Sequence, residues 1–151
     1  MEMQIMNSFE IRFDGGALEL SVYGYENAAA ITISDANWLK CRLDYRLEGL
    51  SGSSKLSVTT TEITIFRDEV KAMLQQLRGH AVFCNDEDDI RIELKFVSMG
   101  GVEVFGKIVK NGTMRYQVDF TSTSDQSRIA QCHKELVMVT DKFHRILRGE
   151  S

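Results

Sequence analysis

The chain has 151 residues, 43% hydrophobic and 26% charged, which fits one globular domain and excludes collagen-like, low-complexity and disordered chains. Its 18 Lys and Arg against 22 Asp and Glu give a net charge of −4, and the basic residues lie singly, so no stripe exists for general nucleic-acid binding. No apolar run reaches the roughly 18–20 residues that cross a bilayer, and Met1–Phe13 lacks the basic n-region and apolar core of a signal peptide. A cytoplasmic protein with no membrane partner is expected.

The first half alternates. Phe9, Ile11 and Phe13 predict a strand, followed by a turn at Asp14-Gly15-Gly16. Leu18, Leu20 and Val22 continue the pattern to Gly24, and Tyr25 falls in an expected turn, Gly24–Asn27. Ala30–Ile33 is a short β-branched strand ended by Ser34–Asn37. Trp38–Leu47 carries Leu39, Cys41, Leu43 and Tyr45 at period two, with Trp38 read as a core anchor or an interface residue. The Gly- and Ser-rich stretch Glu48–Ser54 predicts a loop, and Lys55–Thr60 another strand. Then the period changes. Phe66, Val70, Met73, Leu74 and Leu77 share one helical face, which predicts a helix over 62–78. Thr59-x-x-Glu62 fits a capping box, and Gly79 follows the last turn.

The second half repeats this order. His80–Cys84 is a strand, Asn85–Asp89 a charged turn, and Ile90, Ile92, Leu94 and Phe96 alternate. Ser98–Gly101 turns the chain, Val102–Ile108 returns it, and Asn111-Gly112 signals a hairpin whose turn residues both take positive φ. Met114–Phe120 is the return strand. A last helix is expected over 125–147, with Ile129, Cys132, Leu136, Val139, Phe143 and Ile146 on its apolar face and Thr123-x-x-Gln126 as its cap. The fold class is α+β: largely antiparallel, with about eight or nine strands in two meanders and two amphipathic helices covering one face. Residues 1–151 form a single domain in this reading, with two similar halves, about 9–79 and 80–147, unless the hydroxyl-rich caps recur by chance.

Few residues carry chemistry. Gly15-Gly16 and Gly100-Gly101 sit in hairpin positions and do not open a helix after a strand, so they make no phosphate cradle. His133 and His144 lie about three helical turns apart, roughly 16 Å, too far to share an ion. Asp86, Glu87, Asp88 and Asp89 lack a calcium loop's spacing and read as a solvated turn. Cys41, Cys84 and Cys132 are too widely spaced for a disulfide framework or a zinc pair and read as free thiols. No nucleophile elbow exists. No catalytic residue, metal or cofactor is expected.

Several stretches together resemble a known family. Asp35-Ala36-Asn37-Trp38-Leu39 resembles the Asp-x-Asn-Trp-Leu signature of the WapI-type family of bacterial immunity proteins. So do the segment from Thr61-Glu62 through Phe66, Leu74 and Leu77 to Gly79, the Gly101-x-Val-x-Val run, the Ser124-Asp125-Gln126-Ser127 helix start, and Phe143 near the end. The chain has His144 where a proline usually follows that phenylalanine.

The resemblance implies a protein that binds the C-terminal domain of a cognate secreted toxin, often a nuclease, and neutralises it by stoichiometric occlusion. An acidic partner associates faster with the basic groove of a nuclease. Tyr25, Asp86, Glu87, Asp88 and Asp89 are the expected contact residues. Two other readings stay open: a non-catalytic adaptor or chaperone-like binding module, and a thiol-dependent enzyme using Cys84 or Cys132.

Overall fold

The structure is a computed structural model that describes residues 7–26 and 36–144. Two four-stranded antiparallel meanders follow one another, each closed by a helix. The first comprises β1 (Ser8–Phe13), β2 (Gly16–Tyr25), β3 (Trp38–Leu47) and β4 (Leu50–Thr59), and leads into α1 (Thr60–Gln76). The second comprises β5 (His80–Cys84), β6 (Ile90–Phe96), β7 (Gly101–Asn111) and β8 (Arg115–Asp125), and leads into α2 (Gln126–Lys142). The expected strand Ala30–Ile33 and the residues beyond His144, Ile146 included, lie outside the described residues.

The strands form two sheets, where sequence reading anticipated one sheet with a helix-covered face. Their inner faces meet directly. Phe9 of β1 lies edge-on to Phe83 of β5 at 5.6 Å, and Phe13 of β1 stacks on Phe120 of β8 at 5.2 Å. Tyr45 of β3 and Tyr116 of β8 share a hydroxyl hydrogen bond of 2.8 Å. One continuous core runs through Ile11, Leu20 and Leu43 of the first sheet and Ile92, Leu94 and Val104 of the second. Two glycines let aromatic rings lie flat across a neighbouring strand. A Cβ on Gly106 would stand 2.2 Å from the Phe120 ring, and one on Gly52 would stand 2.2 Å from the Tyr45 hydroxyl.

The helices are exchanged between the sheets. α1 follows the first sheet but packs on β5, while α2 follows the second and packs on β1. Each presents a glutamate to the strand edge it covers. Glu69 of α1 accepts a hydrogen bond from the Val82 amide, and Glu135 of α2 accepts one from the Glu10 amide, both at 2.8 Å. These carboxylates satisfy edge amides that would otherwise pair with another chain. The pairs Ile63 and Ile129, Glu69 and Glu135, Val70 and Leu136, and Met73 and Val139 occupy matching helix positions.

Several boundaries differ from expectation. β4 begins at Leu50, so most of the expected loop is strand: register with β3 and the ring of Tyr45 over Gly52 override the poor propensity of Ser and Gly. α1 begins at Thr60, with the expected Thr59–Glu62 capping box, but ends at Leu77 in the left-handed region (φ 52°), ahead of Gly79. Leu77 is exposed and takes no part in the buried face. Asn111 and Gly112 do not take positive φ; a loop spans 112–114, and the Gly112 amide donates to the Met114 carbonyl at 3.1 Å. Trp38 is half-buried on the outer face of β3 and is not a core anchor, because Leu39, Cys41, Leu43 and Tyr45 take the inward phase.

The cap of α2 is Asp125, whose carboxylate accepts from the Arg128 amide at 2.9 Å, and not Thr123. Thr123 stays in β8, where its carbonyl accepts from the Asp14 amide and its hydroxyl donates to the Asp14 carboxylate, both at 2.8 Å. Asp125 is held below its ordinary pKa by the Arg128 amide first and then by the Ser127 hydroxyl. A carboxyl depressed in the folded state stabilises above its unfolded value, here 3.8, and that contribution disappears as pH falls through the folded pKa. Asp125→Asn retains a capping oxygen but cannot titrate. The stability gap between wild type and D125N, read from urea melts, is therefore expected to shrink from pH 7 to pH 3.

Candidate partner-binding surface

The acidic turn between β5 and β6 is built by one buried side chain. The Asn85 carbonyl oxygen accepts from the amides of Asp89 (2.8 Å) and Ile90 (3.3 Å). Its amide nitrogen donates to the Ser57 carbonyl (3.2 Å) and to the Asp89 carboxylate (3.1 Å). The Asp88 amide closes the turn on the main-chain carbonyl of Asn85 at 3.1 Å, with Asp88 in the left-handed region (φ 59°). An asparagine at this position satisfies both the turn and the neighbouring sheet edge.

The four carboxylates of this turn have different surroundings. Asp88 pairs with Lys107 at 2.8 Å, and that hydrogen bond holds its carboxyl below the usual range. Asp89 is half-buried and engaged by Asn85. Asp86 and Glu87 are exposed and have no ion-pair partner among the described residues. Behind the turn, the Glu62 carboxyl is pushed up, first by burial and further by the Asp86 charge, against the pull of its Thr59 hydrogen bonds. The turn thus places the exposed carboxylates of Asp86 and Glu87 beside β4 of the first sheet.

A groove of about 670 Å³ opens beside it on the outer face of that sheet, lined by Tyr23, Glu26, Lys40, Arg42 and Lys55 together with Glu87 and Asp89. Arg42 and Lys55 are direct cross-strand neighbours. Like charges placed opposite one another destabilise a sheet. Arg42 is relieved by the Tyr23 hydroxyl first and by Asp44, which keep its guanidinium charged, whereas Lys40 and Lys55 have no ion-pair partner among the described residues.

Tyr25 is not where the sequence puts it. A β-bulge between Val22 and Gly24 inverts the phase of β2, so Tyr25 pairs with inward Leu39, and Tyr23 projects outward with 63% of its surface exposed. Tyr25 is half-buried, lies edge-on to Phe143 at 5.9 Å, and its hydroxyl donates to the His144 carbonyl at 2.7 Å. Tyr25 is not among the residues that line the groove, whereas Tyr23 lines it together with Glu87 and Asp89. The signal available in the sequence was the glycine within the β2 pattern, a common mark of a bulge.

Two of the three thiols face inward, and Cys84 is half-buried at the end of β5. Cys132 is fully buried and Cys41 nearly so, and burial pushes both thiols up, Cys41 to about 12. Such thiols carry little thiolate at neutral pH and are poor nucleophiles. His133 is lowered by burial first, then by Lys71 and Arg67. Among the described residues, no three His, Cys, Asp or Glu side chains gather as a metal site.

Two meanders with exchanged helices define an α+β protein that carries a fixed acidic turn and an open charged groove on its surface. The model of the immunity protein WapI-like family matches residues 8–144, and the chain belongs to that family. No curated protein matches the sequence. Among solved structures the chain is similar to the plant transcriptional regulator PBF-2, with 12% identity, a TM-score of 0.54, and coverage of 94% of this chain and 84% of that one. That likeness is one of fold. No helix among the described residues is long and apolar enough to cross a membrane.

Proposed function

We propose that this protein binds the C-terminal domain of a cognate secreted toxin and neutralises it by stoichiometric occlusion in the cytoplasm, without turnover or cofactor. The observation that carries this reading is the family match across nearly the whole chain. In this reading the chain acts as one domain, which is supported by the core that the two sheets and both helices share among the described residues. The contact surface is the acidic turn with its adjoining groove: Asp86 and Glu87 project unpaired, and Tyr23 supplies an exposed aromatic anchor. A basic toxin surface, such as the substrate groove of a nuclease, fits this pole.

The test is co-expression with the toxin domain encoded beside this gene. Growth rescue and a co-purifying one-to-one complex are expected. Toxicity without rescue would favour a non-catalytic adaptor instead. Within the complex, the Asp86→Lys/Glu87→Lys double variant is expected to slow association about tenfold at low salt, with a smaller effect at high salt. Stopped-flow rates unchanged at low ionic strength would remove the acidic turn from the interface.

A further inference from the structure

Side chains bond three of the four sheet edges, each at one or two points. Glu135 and the Ser124 hydroxyl bond the main chain of β1 at Glu10 and Arg12, and Glu69 bonds β5 at Val82. Asn85 and Lys110 bond the carbonyls of Ser57 and Ser53 on β4. The fourth edge, β8, is different. The Asp14 amide reaches the Thr123 carbonyl, so odd-numbered residues of β8 turn their main-chain groups away from β7. Over Arg115–Thr121 none of those edge groups has a hydrogen bond among the described residues. Arg115, Tyr116, Gln117 and Asp119 are all exposed.

An open edge of this length is a template for strand addition. Its charges indicate which strand fits. Arg115 and Asp119 flank Gln117 symmetrically, carry opposite signs, and have no ion-pair partner among the described residues; Asp119 accepts only the Gln117 side-chain amide at 2.9 Å. We propose that β8 pairs antiparallel with β8 of a second copy of this chain, about a two-fold axis at Gln117. Arg115 of each copy then faces Asp119 of the other, and Tyr116 faces Val118. Gln117 faces itself with its amide and carbonyl directed across the edge. The contact is isologous and closes at two subunits, giving one continuous eight-stranded sheet.

Sedimentation equilibrium of the full chain, with far-UV circular dichroism as the folding control, tests this. The wild type is expected to dimerise. Arg115→Asp or Asp119→Arg alone places like charges opposite each other and is expected to raise the dimer dissociation constant at least about tenfold. The R115D/D119R double variant restores both pairs and is expected to return within about threefold of wild type. Gln117→Pro removes an edge-facing amide while leaving the β7–β8 ladder intact, and is expected to give a folded monomer. A wild-type chain that stays monomeric at its highest soluble concentration would overturn the proposal. So would single charge variants that dimerise normally, or a double variant that fails to recover. A monomer whose toxin complex is lost in Q117P would show that the edge receives the toxin instead.

Discussion

Replacing Phe66 by alanine is expected to destabilise the protein by ~3–5 kcal/mol, a large fraction of the stability of a domain this size. Phe66 is fully buried, with its ring centroid 6.0 Å from Phe9 and 5.5 Å from Phe83. Those two rings belong to different sheets, so Phe66 closes a triangle between the first sheet, α1 and the second sheet. The three elements are each held by their own hydrogen bonds and cannot collapse into the space left by a missing ring, which is the condition for a costly cavity. Urea unfolding followed by fluorescence of Trp38, the only tryptophan, and by far-UV circular dichroism reads the effect. Both probes are expected to move together to a lower midpoint. A loss below about 1.5 kcal/mol, or two separated transitions, would show that the sheets do not depend on a shared core.

Replacing Asn85 by alanine is expected to cost about 2–3 kcal/mol and to weaken binding to the toxin as well. The change removes the acceptor for the Asp89 and Ile90 amides and the donor to the Ser57 carbonyl. It leaves these groups unsatisfied around a position that is itself 5% exposed. The same loss frees the turn that presents Asp86 and Glu87. Asn85→Asp keeps the acceptor oxygens but replaces the donor with a charge beside Asp89, and an intermediate loss is expected. Calorimetric titration with the toxin domain, alongside thermal melts, separates the two effects. Full stability in Asn85→Ala would mean that water satisfies the turn without the side chain.

Much of this architecture is legible in local pattern. Phe9, Ile11 and Phe13 repeat at period two, while Phe66, Val70 and Met73 repeat at helical spacing, and both sets are buried where that spacing places them. The Thr59–Glu62 box forms because its partners are three residues apart, a distance set by helix geometry alone. Trp38–Leu47 is a strand with the expected inward set for the same reason.

The candidate surface was only half legible. The acidic turn is a local run and could be found. Its neighbour, the groove, is made by register: Arg42 meets Lys55, and Tyr23 meets Glu87, only once β2, β3, β4 and the β5–β6 turn are assembled. Tyr25 is the last residue of β2 rather than part of a turn, and a single extra residue at the bulge inverts the side chains that follow it in that strand.

Asp125 rather than Thr123 caps α2 for a related reason. Both residues are chemically capable, but the β1–β2 turn engages Thr123 from outside, with Asp14 bonding its carbonyl and hydroxyl, and the strand runs on two residues further. Leu50–Ser54 became strand because pairing with β3 outweighs weak propensity.

By itself, then, the amino-acid order determined what depends on neighbours within one or two turns of chain: strand and helix phase outside the β2 bulge and the end of α1, the first capping box, the acidic run and the α+β class. The tertiary structure decided what depends on residues far apart in sequence. It made two sheets rather than one, exchanged the helices so that Glu69 and Glu135 each close the other sheet's edge, and left β8 open. The physical reason is that side-chain period reports which face of an element is apolar, but carries no information about which distant element will cover it.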